Sequence, residues 1–232
     1  MPFPLDSALA GFAAGVVVGG AVAAAVLRAT RGRRAVAYAE QLRLIAHPEG
    51  GFFLETYRAG SVPMASKGQT DPSGALVPAP DRTGGQRNCM TSIYYMLTKS
   101  SPVQYWANNR SDHVHYWHGG GHLVYHVVAP DGRLSRHVLG PECPQVVVQG
   151  GSFKCAELEE GSGEYVLLGE AVGPGFDFRD FAFVTAAELS ALLPDLADFK
   201  RLSRFLKERP ESSFDDYYNR PTMPSAASAT AP

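Results

Sequence analysis

Turn signals recur so closely between residues 91 and 172 that this stretch reads only as short extended segments. Gly119-Gly120-Gly121, Pro130-Asp131-Gly132 and Gly161-Ser162-Gly163 are turn clusters, because glycine reaches left-handed backbone freely and proline presets φ. Around them stand residues 91–97, 113–118, 122–128, 133–139, 145–148, 152–157 and 165–172, several rich in Val, Ile, Tyr or Thr. Each is shorter than an ordinary helix, and many short strands at this spacing specify an all-β sandwich or barrel. The glycine triplet between residues 113–118 and 122–128 reads as the turn of a β-hairpin.

At 232 residues and 24.9 kDa, the chain suits one core with appendages. A hydrophobic content of 45% excludes overall disorder, since enough apolar surface is present to offset ordering entropy. The net charge of −2 and isoelectric point near 6.4 supply no broad positive field for nucleic acid. Cys89, Cys143 and Cys155 are odd in number and lack C-x-x-C spacing, so neither a disulfide framework nor a structural zinc site is signalled, and a reducing compartment is preferred. There is no G-x-S-x-G elbow and no Walker loop. The glycine triplet lies between strands instead of opening a helix, so it is no phosphate cradle.

Residues 7–27 carry no charge, with Asp6 before them and Arg28, Arg31, Arg33 and Arg34 after. About 21 residues at helical rise span roughly 31 Å, a hydrocarbon core's thickness. Cationic residues on the C-terminal side oppose a secretory leader and favour a single-pass anchor over residues 1–34 with the following domain on the cytosolic side. A targeting peptide and a helix packed on the domain are the other readings.

Beyond the anchor, a short helical stretch at 35–45 precedes a strand at 52–58, and the Gly-, Pro- and Ser-rich residues 59–86 read as an exposed excursion. Thr185 and Glu188 have capping-box spacing and open a helix through residue 193. Leu196, Phe199, Leu202, Phe205 and Leu206 recur at helical spacing, predicting a helical tail (196–220) packed on the barrel. Residues 221–232 are a Pro/Ala/Ser tail expected to be disordered.

Several motifs together resemble the cupins of the domain-of-unknown-function "cupin-five" group: His47-Pro48-Glu49-Gly50-Gly51-Phe52 with Glu55-Thr56-Tyr57-Arg58; Thr91-Ser92-Ile93-Tyr94-Tyr95-Met96-Leu97; Val114-His115 through His118-Gly119-Gly120; and Gly169-Glu170-Ala171-Val172 running into Pro174-Gly175-Phe176-Asp177-Phe178-Arg179-Asp180-Phe181. The resemblance covers roughly residues 42–195 and implies a double-stranded β-helix, a jelly-roll barrel related to sugar-nucleotide epimerases, often a homodimer, within a cupin domain at 35–195. It also implies a family most of whose members have no assigned reaction.

A catalytic cupin holds a divalent metal with imidazoles and a carboxylate. Where family members often carry His-x-His-Arg, this chain has Tyr105-Trp106-Ala107-Asn108; His113 stands at the acidic position and Lys154 at the final histidine. The resemblance therefore implies no cofactor and no metal of the usual kind, since a lysine beside a divalent cation is repulsive. His113, His115, His118, His122 and His126 nevertheless cluster. A two-residue turn would place His115 with His126, and a three-residue turn His118 with His122 and His126. They are half-buried polar residues, a substitute metal site, or an acid/base histidine. Glu55 and Tyr57 share a strand face that points inward if Phe53 does, which would pair Glu55 with Lys154 or a tyrosine hydroxyl.

The expected function is a membrane-tethered cupin that binds a small polar ligand without a usual cupin metal, through Glu55, Tyr57, Tyr94, His113, His115 and Lys154. A sugar-type isomerase or epimerase using a histidine or tyrosine as acid/base, and a dimeric interaction scaffold, are the alternatives. The anchor is tested by alkaline carbonate extraction of membranes: the full-length chain should stay in the pellet, and its release into the supernatant would refute the anchor.

Overall fold

The computed structural model describes residues 35–59, 76–79 and 85–207. Residues 35–41 are helical, and thirteen strands follow: β1 (Ile45–Ala46), β2 (Phe52–Arg58), β3 (Leu76–Pro78), β4 (Gln86–Asn88), β5 (Thr91–Thr98), β6 (Val103–Asn109), β7 (Asp112–Gly120), β8 (Leu123–Val128), β9 (Leu134–Leu139), β10 (Gln145–Val148), β11 (Phe153–Leu158), β12 (Tyr165–Gly173) and β13 (Phe181–Phe183). Helices α1 (Ala186–Leu192) and α2 (Leu196–Leu202) close the described chain, with 3-10 turns at Phe178–Asp180 and Ser203–Phe205.

The strands form two antiparallel sheets, β1-β2-β5-β12-β7-β10 and β13-β6-β11-β8-β9, which face each other as a cupin-type sandwich. Period-two alternation sends one side of each strand into the shared interior. Phe53, Tyr95, Leu97, Val166 and Leu168 from the first sheet meet Leu123, Tyr125, Leu139, Ala156 and Leu158 from the second. Both outer faces are also covered in part. Tyr38, Ala39, Leu42 and Leu44 pack on Met96 and Leu167, while Leu189, Leu193, Leu202 and Phe205 pack on Trp106, Val128 and Cys155. This explains why β8 is buried along its whole length and reads as an apolar run interrupted only by His126. The C-terminal helices are fixed by direct polar contacts. Thr185 and Glu188 form the expected capping box on α1, and the Trp106 indole donates to the Leu202 carbonyl (3.0 Å).

The expected hairpin is not formed. β7 pairs with β12 and β10, whereas β8 pairs with β11 and β9 in the opposite sheet. Gly119 and Gly120 remain within β7, and the chain then crosses the sandwich. The glycines serve close approach instead of a two-residue turn: a Cβ on Gly120 would lie 2.2 Å from the Tyr165 carbonyl oxygen, and one on Gly121 2.4 Å from Ser162 Oγ. The excursion at 59–86 carries a two-stranded ribbon, β3–β4, outside both main sheets. Arg87 of this ribbon makes a buried double contact with Asp180 (2.6 and 2.9 Å). The membrane-anchor expectation (7–27) and the tail at 221–232 lie outside the described residues. Among the described residues, no helix is long and apolar enough to cross a membrane.

Gly120 has φ +90°, while Gly119 has an ordinary φ and open space where its Cβ would stand. Gly120→Val should therefore cost roughly 1–3 kcal/mol from backbone strain, and Gly119→Ala about 0.5 kcal/mol or less. Denaturant melts of the two variants check this; equal stabilities would remove the close-approach explanation.

Candidate functional site

β7 directs His113, His115 and Trp117 inward. β12, running beside it, directs Val166, Leu168, Glu170 and Val172 to the same side, and the register places Glu170 directly opposite His115. From the facing sheet, β11 contributes Lys154, in line with Ala156 and Leu158. Two histidines, a carboxylate and an ammonium thus converge inside the barrel. His115 is fully buried and Lys154 is 5% exposed.

Lys154 Nζ lies 3.0 Å from Glu170 Oε1 and 3.1 Å from both His113 Nδ1 and His115 Nε2. His113 Nδ1 is also hydrogen-bonded to Glu170 Oε1, and His115 Nε2 stands 3.4 Å from the same oxygen. Burial would raise the Glu170 carboxyl, but the Lys154 ammonium and the two imidazoles outweigh it and hold the group well below the usual carboxylate range. Burial first, and the Lys154 charge next, pull His113 down to about 4 and lower His115 as well. At neutral pH the cluster is therefore an ammonium–carboxylate pair flanked by two neutral imidazoles.

One nitrogen, His113 Nδ1, faces both charged partners and cannot serve both at once. If Nδ1 carries the proton it donates to Glu170, leaving Nε2 a lone pair. If Nδ1 accepts from Lys154, Nε2 carries the proton instead. The tautomer of His113 is thus set by which of its two neighbours it uses.

Beside this cluster is a small cleft, with a cavity volume of about 10 Å³, lined by Asn109, His113, Val148, Gln149, Ser152 and Lys154. Two buried polar atoms on its lining residues, His113 Nε2 and Asn109 Nδ2, have no hydrogen-bond partner among the described residues. Such atoms cost about 1–3 kcal/mol each if left dry. A second polar group lies deeper. Gln104 donates to Glu49 (2.7 Å), Tyr95 Oη donates to the Gly50 carbonyl (2.6 Å), and the Tyr125 ring lies 4.8 Å from that of His115. Burial raises Glu49 to about 7 and lowers His47 to about 3.

Of the residues expected to bind ligand, the structure brings together His113, His115 and Lys154. Glu55 is on the exterior, paired with Arg58 (2.6 Å), and Tyr57 is 53% exposed. Glu55 keeps the alternation from Phe53, opposite Ile93, but that end of β2 is exposed; the bulge lies beyond it and shifts the register only at Tyr57, and Glu170 takes the place beside Lys154 that Glu55 was expected to fill. Tyr94 lies on the outer face of its sheet, edge-on to His118. The histidine pairings expected from a hairpin do not arise. His126 faces Phe205 under the C-terminal turn, and His122 contacts Glu142 (3.0 Å) and Glu159 (3.3 Å). Sequence reasoning missed Glu170, Asn109 and Ser152. Glu170 had a legible signal: an acid in the inward register of an otherwise apolar strand, Val166, Leu168, Glu170, Val172.

His113, His115 and Glu170 offer ligand atoms all within 4.8 Å of one another, a spacing a divalent ion could use. They do not fit one while Lys154 holds its position, because its ammonium sits at hydrogen-bonding distance from all three donor atoms and would face the cation directly.

Comparison with known proteins agrees with this fold. Residues 37–184 match the family model described as Cupin superfamily (DUF985). An uncharacterised protein of Saccharomyces cerevisiae is 35% identical over 149 residues, which covers 61% of this chain and 71% of that relative. A solved structure of a hypothetical protein from Leishmania major is 27% identical with a TM-score of 0.61, covering 75% of this chain and 99% of the other. One from Shewanella oneidensis is 25% identical with a TM-score of 0.56, covering 74% and 96%. The chain belongs to the DUF985 family of the cupin superfamily.

Proposed function

We propose that this cupin binds a small polar ligand in the cleft beside Lys154, using hydrogen bonds from its own side chains. The observation that carries this reading is the pair of buried, unpartnered atoms His113 Nε2 and Asn109 Nδ2 on residues lining one cleft. The charge of Lys154 is already balanced by Glu170 at 3.0 Å, so the cleft asks for donors and acceptors and does not require an anion. Its cavity volume of about 10 Å³ is roughly the space of one water and far below the roughly 300–1,000 Å³ of drug-sized pockets, so a ligand would seat a single hydroxyl or amide group there, with the rest of the molecule outside. The polar lining also supports ligand binding over a purely scaffolding barrel. Residues 7–27 would hold this barrel at a membrane surface.

An acid/base enzyme of the isomerase type is the second reading, supported by one observation. His113 has Nδ1 on a carboxylate and Nε2 unpartnered, the arrangement in which a carboxylate orients an imidazole and stabilises its protonated form while the other nitrogen exchanges a proton.

Nitrogen NMR of the His113 ring and the Asn109 amide, with glycerol, acetamide and lactate as probes, tests the binding site. Saturable shifts of both groups are expected, weakened roughly tenfold by Asn109→Leu through loss of one hydrogen bond. No shift with any probe, or shifts unaffected by Asn109→Leu, would refute it.

A further inference from the structure

We propose that Lys154 is a built-in cation that occupies the metal position of a two-histidine, one-carboxylate trio, so that the native chain excludes divalent ions and loss of this one side chain unmasks a metal site. The inference stands on the cluster's geometry and is independent of what the neighbouring cleft binds.

Three features carry it. The donor atoms of His113, His115 and Glu170 lie within 4.8 Å of one another and come from adjacent strands of one sheet, the donor set that suits imidazole- and carboxylate-binding divalent metals. Lys154 Nζ reaches all three at 3.0 to 3.1 Å from the opposite sheet. An ammonium has three N–H donors and no acceptor, so it is the one common side chain that can face three such atoms as a cation does. Its distances are hydrogen-bond lengths, about 1 Å longer than coordination bonds, so a metal would draw the trio slightly inward. Removing Lys154 leaves a buried carboxylate without its countercharge, a costly arrangement that a divalent ion would relieve.

The test uses full-length protein and the variants Lys154→Ala and Lys154→Ser, each titrated with Co²⁺ and followed by visible absorption and melting temperature. The native chain should show neither an absorption band nor a melting shift. Each variant should bind one Co²⁺ per chain, gain a visible band and melt higher, and adding Glu170→Gln should abolish all three changes. If a variant is unfolded without metal, Co²⁺ should restore its fold. Stoichiometric binding by the native chain that is lost in His113→Ala would overturn the proposal, as would a folded Lys154 variant that binds no Co²⁺. Failure of both variants to fold with Co²⁺ present would overturn it too, since a cation could then not replace the ammonium.

Discussion

The ammonium of Lys154 is placed where a lysine is least tolerated, inside a sandwich whose other inward residues on the same strand are Ala156 and Leu158. Several kcal/mol of desolvation would oppose it unless the charge is paired and its hydrogens are used. Glu170 supplies the countercharge, and the imidazoles of His113 and His115 supply further hydrogen-bonding atoms. These partners lie on β7 and β12 of one sheet, and Lys154 on β11 of the other. A slip of one residue in any of the three strands would turn its member of the cluster outward. The buried pair therefore couples the registers of both sheets, which apolar contacts alone leave less specified.

The barrel interior is divided as a consequence. Leu97, Leu123, Leu139, Leu158, Val166 and Leu168 supply the apolar packing, while His113, His115, Lys154 and Glu170 form the polar region next to the cleft. The charges of Lys154 and Glu170 balance, and the unpartnered buried atoms on the cleft-lining residues are neutral ones, an imidazole nitrogen and a side-chain amide. Burial, and after it the Lys154 charge, keeps the imidazoles uncharged at neutral pH, which leaves His113 able to accept or donate according to its tautomer. The proposed binding of a small polar molecule and the alternative of proton exchange with it would both draw on this one arrangement.

Much of the fold was legible because its signals are local. Alternation, turn clusters and the Thr185–Glu188 capping box located strands and a helix that the structure contains, and the resemblance to cupins named their arrangement. What failed depended on register or on long-range pairing. The glycine triplet looks like a hairpin turn, yet Gly120 and Gly121 answer to the approach of Tyr165 and Ser162 from distant sequence. Glu55 was misplaced because its end of β2 is exposed although its register follows Phe53, and which end of a strand is covered depends on distant elements. β6 and β13 were not singled out as strands: β6 mixes Gln104, Asn108 and Asn109 with aromatics, and β13 is only three residues long. Within the site, His113 and His115 were found from the histidine cluster and Lys154 from its place in the cupin resemblance, whereas Glu170 and Asn109 needed the inward register of their strands.

The central claim is that Lys154 and Glu170 are energetically one unit. A double-mutant cycle with Lys154→Met, Glu170→Leu and the combined variant, read as unfolding free energies, tests it most directly. Each single change should cost about 3–5 kcal/mol because it strands a buried charge, and the double variant should cost well below their sum. Additivity of the two single effects to within about 0.5 kcal/mol would contradict the account.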